Sequence, residues 1–197
     1  MSAGTKYDLT PPNEKSEFYR VESGIRKSGP WRLNVTNLVV GSYLPVFTPL
    51  YADLKTREVF PVRNVKVIEA ATATATDIKI QKNSLAYVGM FLGNGSKGAE
   101  VSAIDKTNKD YDLISVAVTI GAALKVGDVL FEATAVAGTT KKHKSNFVLY
   151  GRIKVENDGP VLPTLLMQAY EIKESKLILP FHDQDKEALT SRFQFDY

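Results

Sequence analysis

Three short stretches carry the residue types that catalysis and ligand binding draw on. Gly93-Asn94-Gly95-Ser96-Lys97-Gly98 has the spacing G-x-G-x-x-G behind an apolar run. That pattern cradles a pyrophosphate when a helix begins inside the glycine loop and points its N-terminus at the anion. Here Ala99-Glu100-Val101-Ser102-Ala103-Ile104 resumes a strand pattern and stops at Asp105, so no strand–helix unit exists to use the loop, and the stretch predicts a glycine-rich hairpin. Lys97 is followed by Gly98 where a P-loop needs Ser or Thr.

The sequence has 2 histidines. His143 lies in Thr139-Thr140-Lys141-Lys142-His143-Lys144, which reads as a solvated basic turn between strands, with contact to an anion or partner as the alternative. Its cationic neighbours disfavour a bound metal. His182 precedes Asp183-Gln184-Asp185, an imidazole with two carboxylates, but Lys186-Glu187 does not continue the ligand and glycine pattern of a calcium loop. A surface turn, or a helix N-cap made by Asp183 or Asp185, is the reading that needs no metal. No G-x-S-x-G elbow or equivalent supports Ser-His-Asp catalysis. The expectation is a non-enzyme with no catalytic residue, no metal ligand and no cofactor.

Composition bounds the class further. With 197 residues, 44 % of them hydrophobic, the chain can bury a substantial core as one compact domain. The absence of cysteine removes disulfides, thiol nucleophiles and Cys-ligated metals, and fits assembly in a reducing cytoplasm. No apolar leader or membrane-length run is present, so a soluble, non-membrane protein is expected, and the two N-x-S/T matches at Asn34 and Asn94 are chance. A net charge of +3 from 25 basic and 22 acidic residues argues against a nucleic-acid partner.

The elements that must position these residues read as β throughout. Residues 1–30 are a polar arm broken by Pro11-Pro12 and Gly29-Pro30, residues 31–180 a β domain, and residues 181–197 a polar tail with Phe193, Phe195 and Tyr197. Strands are expected over Trp31 to Val40, in short pieces between Leu44 and Glu69 around Pro45, Pro49 and Pro61, and over Asp77 to Ile80. Further strands are expected over Leu85 to Leu92, Ala99 to Ile104 and Phe147 to Val155, with a kink at Gly151 in the last, and again after Gly159-Pro160. From Leu113 to Ile120 the residues Ile114, Val116, Val118 and Ile120 alternate onto one face, and Gly127-Asp128 makes a turn with φ > 0 before Val129 to Phe131. Strand signals at roughly 8–12-residue spacing predict an all-β fold, a compact barrel or sandwich with an extended N-terminal arm and C-terminal tail.

Two segments carry a resemblance. Leu44 to Ile68, with Thr48-Pro49-Leu50, Asp53, Thr56-Arg57 and Pro61-Val62, resembles the opening of capsid-attached β domains of tailed phages. Ile104 to Glu132 is similar to the core of phage head-decoration, auxiliary capsid and head-fibre anchor proteins, those of crAss-like phages in particular. The resemblance implies a structural virion protein on the capsid surface, made in the host cytoplasm. It further implies a homotrimer that clamps major capsid protein subunits or anchors a head fibre, with the major capsid protein and other virion proteins as partners.

The residues point the same way. In the arm and just beyond it, Tyr7, Tyr19 and Trp31 interleave with Arg20, Arg26, Lys27 and Arg32, the types that dominate interface hot spots, although such aromatics also tuck against their own domain. The tail's Phe193, Phe195 and Tyr197 alternate with polar residues as in a strand added to a neighbour's sheet edge. The competing readings are a sugar- or receptor-binding β module using Tyr43, Tyr51, Tyr87 and Tyr111, and a small hydrolase lacking an identifiable acid/base pair.

Overall fold

The computed structural model describes residues 17–27 and 29–196. Its strands are β1 (Arg20–Lys27), β2 (Arg32–Leu33), β3 (Tyr43–Leu44), β4 (Pro49–Ala52), β5 (Glu58–Pro61), β6 (Asn64–Lys66), β7 (Asp77–Gln81), β8 (Phe91–Gly93), β9 (Gly98–Asp105), β10 (Tyr111–Val116), β11 (Val129–Glu132), β12 (Phe147–Leu149), β13 (Ile153–Lys154) and β14 (Leu165–Lys173). Helix α1 (Asp183–Leu189) and strand β15 (Phe193–Asp196) follow. The fold is all-β, as the spacing of turn residues predicts.

Two sheets make the body. The first runs β1-β14-β12-β4-β5-β2, with β15 added in parallel to β14. The second runs β6-β11-β8-β9-β10-β7 and curls until the bridge between Val67 and Ile80 joins its two edges. Its inward side chains, among them Val65, Ile78, Ile80, Met90, Leu92, Val101, Ile114 and Leu130, form one core. The first sheet is covered on both faces, because alternate residues of its strands face opposite ways. Leu149 and Leu165 join a cluster with Trp31, Leu33, Leu50 and Val59, while Val148 and Leu166 join one with Tyr19, Phe47, Phe181, Leu189 and Phe193. Between Ala169 and Ile172, both in the second cluster, the register shifts, and Glu171 takes φ +55 so that the strand spends three residues on a two-residue step.

Several expected strands are shorter than their hydrophobic runs. Trp31 to Val40 yields β2 alone, because the chain turns at Thr36-Asn37, where Asn37 has φ +59. Leu85 to Leu92 gives only the start of β8, after a turn with Gly89 at φ +89. The Phe147 to Val155 run splits at Gly151 into β12 and β13, which pair in different sheets. In β10 the inward row is Asp112, Ile114 and Val116, and it ends there: Val118 is 69 % exposed. The buried Asp112 carboxylate is held by Lys82 Nζ at 2.9 Å and the Asn83 amide at 3.1 Å.

Two turn predictions hold in detail. Gly127 has φ +95, donates its N–H to the Val67 carbonyl at 2.8 Å, and is followed by Asp128, whose Oδ2 accepts from the Lys125 amide at 2.8 Å. Gly93 and Gly98 flank a hairpin between β8 and β9 and pack against the backbone of Gly138, so their glycine character serves close backbone approach.

The arm and tail are integrated further than their composition predicts. Within the segment expected to be an extended arm through residue 30, β1 pairs antiparallel with β14, with Arg26 opposite Leu166, and Tyr19 is buried. The tail is likewise part of the body: β15 adds in parallel to this chain's own β14, after α1 has packed Leu189 against Phe181 and Phe193.

Candidate functional site

The most concentrated polar chemistry lies inside the body, where two adjacent residue pairs serve two carboxylates. Arg63 and Asn64 stand at the entry to β6; Lys141 makes the bridge to Ala133, and Lys142 follows it. Neighbouring residues in extended chain point to opposite sides. Arg63 Nη1 therefore reaches Glu132 Oε2 at 3.1 Å, and Lys142 Nζ reaches Glu132 Oε1 at 2.8 Å, while Asn64 and Lys141 turn the other way to Asp185.

The Glu132 centre is completed by Tyr87, whose hydroxyl donates to Oε1 at 2.8 Å and whose ring lies 4.9 Å beneath the Arg63 guanidinium. Arg63 Nη2 also donates to the Thr36 carbonyl at 2.7 Å, which fixes the turn that ends β2. Burial pushes the Glu132 carboxyl up, but the Lys142 hydrogen bond, Arg63 and Tyr87 outweigh it and hold the group below its ordinary value. Beside it His143, expected in a solvated turn, stacks across the neighbouring rings of Tyr51 and Phe60 at 4.9 Å from each, and burial lowers its pKa.

The Asp185 centre is dry: the Lys141 and Asp185 side chains are 1 % and 0 % exposed. Lys141, read in the sequence as part of the same solvated basic turn, donates to Asp185 Oδ2 and to Asn64 Oδ1, the latter at 2.8 Å. Asn64 Nδ2 donates to Asp185 Oδ2 at 2.8 Å and to the Pro180 carbonyl at 2.9 Å. Ser145 N–H holds Asp185 Oδ1 at 2.9 Å. His182 is itself the N-cap of α1, in the role expected of Asp183 or Asp185. Its Nδ1 accepts from Gln184 N–H at 3.1 Å while its own N–H donates to Asp185 at 3.2 Å, a reciprocal capping box. Burial, and then the Lys141 charge, lower its pKa. Among the described residues no group of three or more His, Cys, Asp or Glu side chains is arranged to hold a metal, and no helix is long and apolar enough to cross a membrane.

The residues expected to meet a partner fall into two sets. Tyr19, Trp31 and Phe193 are buried: Tyr19 lies 5.3 Å from Phe47, Trp31 6.3 Å from Phe147 and Phe193 6.4 Å from Phe47. Phe195 is half-buried against Phe181 at 5.1 Å. The first three belong to the chain's own core, and Phe195 packs against it. Arg20, Arg26, Lys27 and Arg32 remain exposed, Arg20 pairing with Glu171 at 3.4 Å and Arg26 lying over the Tyr150 ring at 5.0 Å. Tyr7 and Tyr197 lie outside the described residues. Of the tyrosines considered for sugar binding, Tyr43 alone is exposed; Tyr51, Tyr87 and Tyr111 are half-buried and sit on β4, a loop and β10.

Periodicity missed a different surface. Val39, Val40, Tyr43 and Ile178 are 71 %, 55 %, 55 % and 54 % exposed. Val39, Tyr43 and Ile178 border two shallow clefts of about 310 and 350 Å³ that share Tyr43, Pro45 and Ile178, and Phe18 lines the first. Arg152 lies over the Tyr43 ring at 5.2 Å, on the rim. An apolar strip with a cationic rim is the composition of a protein contact. The run Asn37-Leu38-Val39-Val40 carried the signal, but it reads as strand interior until the turn at Asn37 is known.

A family model described as head fiber protein matches residues 2–194. No curated protein and no solved structure matches the chain.

Proposed function

The chain belongs to the phage head fiber protein family, and we propose that it attaches to the outside of the capsid through the apolar strip around Tyr43 and Ile178. Membership makes it a structural component of the virion. The observation that carries the attachment site is the exposure of three large apolar side chains, Val39, Tyr43 and Ile178, on adjoining clefts, where a monomer in water gains nothing by leaving them uncovered. In this reading the partner is the major capsid protein, three copies of the chain gather at one attachment point, and the chain works by binding and turns over no substrate. The basic side chains Arg20, Arg26, Lys27 and Arg32 then steer the approach, contributing to the rate and salt dependence of docking more than to its strength.

The test uses heads that lack the protein, purified full-length chain, and the substitutions Tyr43→Ala and Ile178→Asp. Both positions are exposed, so melting temperature should not change, while the fraction that co-sediments with heads should fall at least tenfold. Full occupancy by the double variant would overturn the assignment of this surface.

A further inference from the structure

We propose that Lys141 and Asn64 become joined by an intramolecular isopeptide bond, with Asp185 carrying the protons. The three groups meet from three separate places in the chain: Asn64 opens β6, Lys141 makes the bridge to Ala133, and Asp185 lies in the first turn of α1. Lys141 Nζ lies 2.8 Å from Asn64 Oδ1, and with a C=O bond of about 1.23 Å it stands no more than about 4 Å from the Asn64 carbonyl carbon. That is within a short side-chain adjustment of attack distance. Asp185 Oδ2 touches both Lys141 Nζ and Asn64 Nδ2, the nucleophile and the leaving group. One carboxyl oxygen placed between those two nitrogens is what an aminolysis requires.

The surroundings favour the reaction over a resting ion pair. Asn64 is 3 % exposed, and the Lys141 and Asp185 side chains are nearly or wholly sealed, so water has no access to compete. The Phe131 ring closes the site 5.6 Å from Nζ. Burial lowers the Lys141 pKa, with the Lys144 charge adding to that and Asp185 opposing it, and a neutral amine is the nucleophilic form. Passing a proton from Lys141 to Asp185 leaves an amine and a carboxylic acid, which removes both charges from the interior.

The balance closes without an oxidant or reductant. Nζ attacks the Asn64 carbonyl carbon, and the carbonyl π pair moves to Oδ1. Asp185 gives its proton to Nδ2 and takes one from Nζ. The bond from the carbon to Nδ2 then breaks, ammonia leaves, and the carbonyl re-forms as an amide to Lys141. The product ties the second sheet to the segment that leads into β12 of the first, in a chain whose lack of cysteine leaves it no disulfide.

The experiment is the intact mass of the full-length protein in denaturant, followed by protease mapping. The expected mass is about 17 Da below that of the sequence, the weight of the ammonia lost, with a branched peptide joining Asn64 to Lys141. Asn64→Ala, Lys141→Arg and Asp185→Ala should each run at the full mass of their own sequences. A wild-type chain at full sequence mass overturns the proposal, and this reading does not depend on whether any variant folds. A loss of about 18 Da with Lys141 joined to Asp185 also overturns it, since Asp185 would then be acceptor and not proton carrier.

Discussion

Gly98 and Gly138 meet backbone to backbone, so closely that a Cβ on Gly98 would lie 2.5 Å from Gly138 Cα and one on Gly138 would lie 2.4 Å from Gly98 Cα. Gly93 shares the contact, its would-be Cβ 2.3 Å from the Gly138 carbonyl oxygen. The atoms in the way are backbone, which cannot swing aside as a side chain would. Gly98→Ala is therefore expected to cost about 2–3 kcal/mol, above the ~1 kcal/mol of an ordinary glycine replacement in a regular element. Urea titration of the two proteins measures it, and equal midpoints would mean that the β8–β9 hairpin does not sit against Gly138.

Gly127 isolates the conformational part of the same question. A Cβ there meets nothing within 4 Å, yet φ is +95. Gly127→Val should cost about 1–3 kcal/mol through backbone strain alone, and Gly127→Asn clearly less, because Asn tolerates left-handed backbone. A valine variant as stable as the asparagine one would contradict this geometry.

Acid should destabilise the fold in two stages. His143 and His182 have folded pKa values lowered by burial below the ordinary 6.5, so their contribution is complete above that pH and is lost as pH falls through the folded values. Glu132, held below 4.5 by Lys142, Arg63 and Tyr87 against the cost of burial, contributes above that pH and loses its share at lower pH still. Melting temperature measured from pH 7.5 to 3 should fall first below about 6.5 and again below about 4.5. In His143→Ala/His182→Ala the first step should disappear, while stability at neutral pH drops by about 1 kcal/mol or more from the lost cap and stack.

What could be read in the sequence was whatever depends on neighbours along the chain. The turn at Gly127-Asp128, the hairpin at Gly93 to Gly98 and the alternation from Leu113 to Val116 are local, and each appears in place. What could not be read depends on distant partners. Lys141 and Lys142 look alike in a basic run, and only the positions of Asp185, 44 residues away, and Glu132 make one a sealed core residue and leave the other half-exposed. Tyr19, Trp31 and Phe193 have interface chemistry by type, and packing against Phe47 and Phe147 assigns them to the interior. Polar composition likewise hid β1, because an edge strand presents one face to water and takes its order from β14.

The same dependence decides where the chain can be cut. A chain that starts at residue 17 keeps β1 and the Tyr19 contact with Phe47, and is the reference against which a shorter one is measured. A chain that starts at residue 28 loses β1, which uncovers the β14 edge from Leu165 to Tyr170, and loses Tyr19 from its contact with Phe47. Removal of one buried aromatic costs about 3–5 kcal/mol by itself, a large part of the stability of a domain this size. The shorter chain should therefore melt far lower and associate through its bared strand, read by calorimetry together with light scattering. If both truncated chains melt alike and stay monodisperse, β1 is an ornament on the first sheet, and the body begins at Trp31.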